Sequence, residues 1–174
     1  MLSCACSSLS SNYKVGNVID SLNGVYVYYN GSFSNVDGRN KTDDGYNIGL
    51  KFQCVEFVKR YYLEFYNHKM PNSWGHAKDF FNGKVRDGKI NDERNLYQYR
   101  NPSSSKPKVG DLIIFDGTMF NKFGHVAIIS KVEDDFIEVI QQNVLTNTRQ
   151  KYDLLRNADK WKINDDNILG WLRK

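Results

Sequence analysis

Three observations point to an α+β fold, with helix concentrated in the first half and an antiparallel sheet in the second. From Cys54 the larger apolar and aromatic residues fall at Phe57, Val58, Tyr61, Tyr62 and Phe65, the stripe of an amphipathic helix about three turns long. After residue 109 the pattern shortens to strand-length apolar runs over 111–115, 125–132 and 136–142. Glu133-Asp134-Asp135, between the last two, suits a tight hairpin turn.

In chain order, residues 1–12 are serine-rich and read as a disordered start, part of a flexible tail over 1–23 ahead of one domain spanning 24–174. Val25 to Tyr29 has strand propensity, and Asn30-Gly31 is a turn signal. Residues 31–49 are rich in Gly, Asn and Asp, a long loop of the kind that carries function, and it leads to Cys54. The helix runs to about Asn67, where His68-Lys69-Met70-Pro71 closes it. Ala77 to Phe81 reads as a second, short helix ended by Asn82-Gly83, and 84–107 as a polar, irregular surface connection. Arg149 to Leu154 adds a strand, and Ile168 to Leu172 is the last.

At 174 residues the chain can bury a real core as one domain. A net charge of +4 suits contact with anionic material such as cell wall or a membrane surface and is too small to argue for nucleic acid. No stretch reaches the length of a transmembrane segment. Three cysteines make no disulfide framework. Cys4 and Cys6 follow small residues, as at a lipoprotein cleavage site, but without the charged start and apolar core of a signal peptide. A flexible N-terminus is therefore the reading, with a shortened lipoprotein as the alternative.

Cys54 opens the helix, where the dipole and the free N–H groups of the first turn favour a thiolate and can hold an oxyanion. A small buried hydrophobe is the bland alternative. His125 opens a strand beside Gly124, which lets another group approach closely, whereas His68 and His76 lie in polar, turn-like surroundings and read as surface residues. Alternation puts Gln141 and, if the strand runs on, Asn143 on one face of the next strand, facing His125. An amide oxygen accepting the Nδ1–H would aim Nε2 at the thiol. Nucleophile, base and orienting amide are thus all present.

Gln53-Cys54-Val55-Glu56-Phe57, Val109-Gly110-Asp111-Leu112-Ile113, Gly124-His125-Val126-Ala127-Ile128 and Gln142-Asn143, in this order and spacing, resemble the CHAP domain, a family of cysteine, histidine-dependent amidohydrolases and peptidases. The resemblance runs from about Gly24 to Gly170-Trp171-Leu172. It implies a papain-like core with N-terminal helices packed on a C-terminal antiparallel sheet. It also implies Cys54 as nucleophile, His125 as base and then acid, Gln141 or Asn143 as orienting residue, and the Cys54 N–H with the Gln53 side chain as oxyanion donors. Lys59, Tyr46 and Trp74 are the expected substrate-binding residues. Family members often read Glu-Gln-Asn where this chain reads Gln141-Gln142-Asn143, and a neutral amide stabilises an imidazolium less than a carboxylate does. Asp43-Asp44-Gly45-Tyr46 has the flavour of a calcium loop but lacks alternating carboxylates, so a solvated turn is expected, with no metal or other cofactor.

Two substrate classes follow from the resemblance. Most members cut peptidoglycan peptides in the bacterial envelope, where an effector would have an immunity protein as partner. The phrase Leu50 to Tyr62 is similar to the glutathionylspermidine amidase branch, which acts on a glutathionyl-polyamine in the cytoplasm; 174 residues hold the amidase alone. A binding module that holds wall peptide without cutting it is the non-enzyme alternative.

Overall fold

The computed structural model describes residues 13–174; the serine-rich start with Cys4 and Cys6 lies outside them. The N-terminal half contains two small hairpins, β1 (Val18–Leu22) with β2 (Val25–Tyr28) and β3 (Arg39–Lys41) with β4 (Asn47–Leu50), followed by α1 (Cys54–Tyr66). A 3-10 turn, Ala77–Phe80, stands where a second helix was expected. It is too short for helical hydrogen bonding to propagate and is held by its cap, the His76 N–H donating to Asp79 Oδ2 at 2.8 Å. One α-helix, rather than several, packs on the sheet among the described residues.

The expected domain boundary ahead of Gly24 falls in the turn between β1 and β2, so residues 13–23 belong to the folded body. Asp20 of β1 accepts from Arg149 Nε at 2.8 Å and Nη2 at 3.0 Å, tying the hairpin to the main sheet.

That sheet has eight antiparallel strands in the order β11 (Lys160–Ile163), β10 (Arg149–Asn157), β9 (Phe136–Ile140), β8 (His125–Val132), β7 (Leu112–Phe115), β12 (Ile168–Arg173), β6 (Leu96–Arg100), β5 (Lys89–Asn91). β5 and β6 lie inside the stretch expected to be irregular. The hairpin over Glu133-Asp134-Asp135 forms, with Val132 opposite Ile137. Alternation divides the strands between two cores. Leu112, Ile114, Val126, Ile128 and Ile140 pack with Phe57, Val58, Tyr61 and Tyr62 of α1. Ile113, Ala127, Ile129, Ile137, Val139 and Trp171 form the core on the other face. Each fully buried side chain of this size contributes about 1.5–3 kcal/mol. Among the described residues no helix is long and apolar enough to cross a membrane.

Two glycines set the approach of these elements. Gly49 has φ +146°, and a Cβ there would meet Glu56 Cα at 2.9 Å, so only glycine lets β4 rest on the first turn of α1. Gly124 has φ +74°, and a Cβ there would meet the Phe115 carbonyl oxygen at 2.5 Å; it sets the start of β8 and the position of His125.

Candidate active site

The helix begins at Cys54 with Gln53 as its cap, in extended conformation and without a side-chain bond to the first turn. The Gln53 side chain points elsewhere. Its Nε2 donates to the carbonyls of Asn35 at 2.7 Å and Phe33 at 3.2 Å, and its Oε1 accepts from Asn143 Nδ2 at 2.6 Å. Both amide hydrogens are spent on the preceding loop. The expected side-chain oxyanion donor is therefore occupied, and the backbone N–H groups of the first turn remain for that task.

Beneath Cys54 lies a buried polar floor. Glu56 accepts from Arg60 Nε at 2.8 Å, Asn40 Nδ2 at 2.8 Å and Gln142 Nε2 at 2.9 Å. Gln142 also donates to the Gln53 carbonyl at 3.1 Å and accepts from the Tyr28 N–H at 2.8 Å. Arg60 Nη2 reaches the Tyr26 carbonyl at 2.8 Å. Gln142, Glu56 and Arg60 thereby bind the helix start, β2 and the end of β9 into one unit. This is the positioning set that spacing alone did not assign, although Gln142 belongs to the recognised Gln-Asn pair.

His125 opens β8, and its Nε2 lies 2.9 Å from Gln141 Oε1. The Gln141 Nε2 faces the Asn147 carbonyl at 3.4 Å and Gln150 Oε1 at 3.5 Å, so its oxygen is the atom turned to the imidazole. A carbonyl oxygen only accepts, so Nε2 carries the proton and Nδ1 keeps the lone pair. This reverses the expected ring orientation: Nδ1, not Nε2, is the basic nitrogen. Of the two candidate orienting amides, Gln141 is the one within hydrogen-bond reach of the ring. Asn143 does not reach His125, because β9 ends at Ile140 and Asn143 adopts φ +66°, which turns it to Gln53 and to Asn30 Nδ2 at 2.8 Å.

Burial pushes the Cys54 thiol up to about 11, with the backbone N–H groups of Val126, Val55 and Cys54 opposing the shift. Burial pushes His125 down to about 4, against the pull of Gln141. The cost of desolvation therefore outweighs the helix dipole expected to favour a thiolate. At neutral pH Cys54 is therefore a thiol and His125 a neutral imidazole.

Cys54 and His125 line one cavity of about 890 Å³, together with Gln53, Asn143 and Trp74. Trp74, 58% exposed, stands on its wall. Lys59 does not. It is buried, its Nζ donating to the Ser73 carbonyl at 2.7 Å and to the Asn47 carbonyl, and burial beside Arg94 and Arg39 lowers it to about 7. Tyr46 packs under that ammonium at 5.1 Å and accepts from the Met70 N–H at 3.0 Å, away from the cavity wall. Lys59 and Tyr46 hold the two walls together rather than face solvent. Of the other histidines, His68 is buried against the Arg94 carbonyl at 2.9 Å, and exposed His76 lines the cavity with its ring 4.5 Å from that of Phe123. Phe33, Phe120 and Phe123 join the wall from loops whose sequence carries no periodic signal, and Arg39 from the start of β3.

Asp44 pairs with Lys69 and accepts from Thr42 Oγ1. Among the described residues no three His, Cys, Asp or Glu side chains gather as metal ligands.

The family model for the CHAP domain matches residues 42–143, a stretch that holds Cys54, His125, Gln141 and Asn143. The chain belongs to the CHAP domain family. Trypanothione synthetase of Crithidia fasciculata is 31% identical over 134 residues, covering 74% of this chain and 21% of that protein. The bifunctional glutathionylspermidine synthetase/amidase of Escherichia coli (strain K12) is 28% identical over 185 residues, covering 94% of this chain and 30% of that protein. The CHAP chain thus spans less than a third of the length of either relative. Among solved structures, Ly7917 aligns at a TM-score of 0.33 and 16% identity over 57% of this chain and 38% of that one, a likeness too slight to carry an argument.

Proposed function

We propose that this CHAP domain cleaves amide bonds of bacterial cell-wall peptides through a thioester on Cys54. The observation that carries the reading is the shared cavity: a helix-borne cysteine and a strand-borne histidine meet there, with Gln141 fixing the tautomer of His125. Nδ1 takes the thiol proton as sulfur attacks the carbonyl carbon. The developing oxyanion is met by the Cys54 N–H. The imidazolium then gives its proton to the leaving nitrogen, the C–N bond breaks, and water, deprotonated by His125, hydrolyses the thioester to a carboxylic acid. The order of cysteine helix, histidine strand and orienting amide supports a papain-like arrangement.

A roughly 890 Å³ cavity rimmed by Phe33, Trp74 and Phe120 suits an extended peptide, and the +4 net charge suits an anionic wall. The envelope is then the site of action, with an immunity protein as partner if the chain is an effector. A second reading, hydrolysis of a glutathionyl-polyamine in the cytoplasm, draws its support from the relatives' names. Acid quenching during turnover, followed by mass analysis of the Cys54 peptide, tests the mechanism. An acyl adduct labile to hydroxylamine is expected. Turnover that persists in Cys54→Ala overturns it and returns the cavity to a binding role.

A further inference from the structure

The loop that carries Trp74 is held from behind by two buried cations and by no carboxylate. Lys59 and Arg94 are each 1% exposed, and neither forms an ion pair among the described residues. Lys59 Nζ, on α1, donates to the Ser73 carbonyl at 2.7 Å and to the Asn47 carbonyl. Arg94 Nη1 donates to the Asn72 carbonyl, Nη1 and Nη2 each lie 3.2 Å from the Trp74 carbonyl, and Nη2 donates to the Asp79 carbonyl at 3.0 Å. The carbonyls of Asn72, Ser73 and Trp74 thus all accept from charged side chains. Asn47, at the start of β4, completes the junction: its Nδ2 donates to the Ser73 carbonyl at 2.8 Å, and its Oδ1 accepts from Arg39 Nη1 at 2.8 Å. Asn47, Ser73 and Trp74 all line the cavity that contains Cys54.

A buried charge answered only by carbonyl dipoles costs more than a well-packed apolar side chain in the same place. What the cation supplies is direction: one group on the helix that bears Cys54 grips β4 and the Trp74 loop together. We propose that Lys59 is a positioning residue whose ammonium sets how far the Trp74 loop stands from β4, and that losing this charge loosens the loop and widens the cavity over Cys54. The effect on catalysis rests on the amidase reading above; the effect on the loop does not. The surroundings make the charge easy to lose. Burial, then Arg94 and Arg39, lower Lys59 to about 7, against the opposite pull of Glu56 one turn earlier on α1. The Tyr46 ring lies 5.1 Å from the Lys59 ammonium and 5.7 Å from that of Lys69, and Glu93 and Asp79 act on Arg94. Below about 7 the ammonium holds both carbonyls; above it a neutral amine has one donor fewer, bonds carbonyls about half as strongly and is no longer drawn to the ring.

The test follows Trp74 directly. The protein is labelled with 5-fluorotryptophan, the resonances of residues 74, 161 and 171 are assigned with Trp74→Phe, and fluorine NMR spectra are recorded from about pH 5.5 to 9. The Trp74 resonance is expected to move with a midpoint near 7 while the other two stay. The step persists in His76→Gln, which removes the histidine of the same segment, and disappears in Lys59→Met. On an amide substrate with no group titrating in this range, KM of the unmodified protein rises at least about threefold between pH 6 and 8.5. In Lys59→Met it is high at both, with kcat within about twofold of the unmodified protein. A Trp74 resonance that stays still in the unmodified protein overturns the proposal whether or not Lys59→Met folds. So does a step that vanishes in His76→Gln, or a folded Lys59→Met with unchanged KM. If the step appears while no amide is cleaved, the clamp stands and the amidase reading fails; cleavage without the step leaves the amidase reading and removes the clamp.

Discussion

The floor and the rim of the cavity are built on opposite principles. On the floor, Glu56, Arg60, Gln142 and Gln53 join the helix start to β2 and β9 through hydrogen bonds, and Gln142 and Glu56 are at most 1% exposed. On the rim, Phe33 is 63% exposed, Trp74 58% and Phe120 98%. A buried polar group is costly unless bonded, so the floor admits one arrangement, whereas exposed aromatic area costs little until something covers it. The difference separates holding the nucleophile from holding the substrate, and it can be broken at either end.

The largest effect is expected at the reacting groups. Cys54→Ala and His125→Ala each lower kcat by at least about 10³-fold, read by product release on an amide substrate. Next comes the floor. Glu56→Ala leaves Arg60 buried without its carboxylate and destabilises the fold by about 3–5 kcal/mol, measured by urea denaturation. A change below about 1 kcal/mol there would show that the floor is not the unit described.

A smaller effect sharpens the role of Gln141. His125 must be neutral to act as base, and burial has lowered it to about 4, so kcat/KM holds below pH 6 and falls only as pH approaches 4. In Gln141→Glu a carboxylate stabilises the imidazolium, raises the His125 pKa by about 1 unit or more, and moves the acid limb upward. An unmoved limb contradicts the bond between the two. The same depressed pKa carries a stability sign. Between 4 and the ordinary value of 6.5 the unfolded chain binds the proton and the native chain does not. His125 therefore contributes stability above 6.5 that is lost as pH falls through this window. The smallest effect on folding is expected on the rim: Phe120→Ser changes stability by less than about 0.5 kcal/mol while raising KM severalfold.

Legibility followed the same division. The α1 stripe, the β8–β9 hairpin and the pairing of His125 with Gln141 each rest on local periodicity, which survives in one sequence. The β5–β6 hairpin did not show, because its inward residues include Gln98, which bonds Asn82 and Asn91 instead of adding to an apolar run. Glu56, Lys59 and Arg60 fall outside the apolar stripe, and Lys59 was expected to face substrate, yet all three are buried beneath segments from the first fifty residues and the seventies loop. The ring orientation of His125 and the separate duties of Gln141 and Asn143 depend on where β9 ends and on a single left-handed residue, details that alternation does not carry.

The central claim, amide hydrolysis by Cys54 with His125, is tested most directly by mass spectrometry of products. The protein is incubated with a mixture of purified peptidoglycan and glutathionylspermidine, beside a Cys54→Ala sample. New muropeptides that require Cys54 are the predicted result, and free glutathione with spermidine would move the substrate to the polyamine reading while keeping the mechanism. Products of either kind that appear equally with Cys54→Ala would contradict the account.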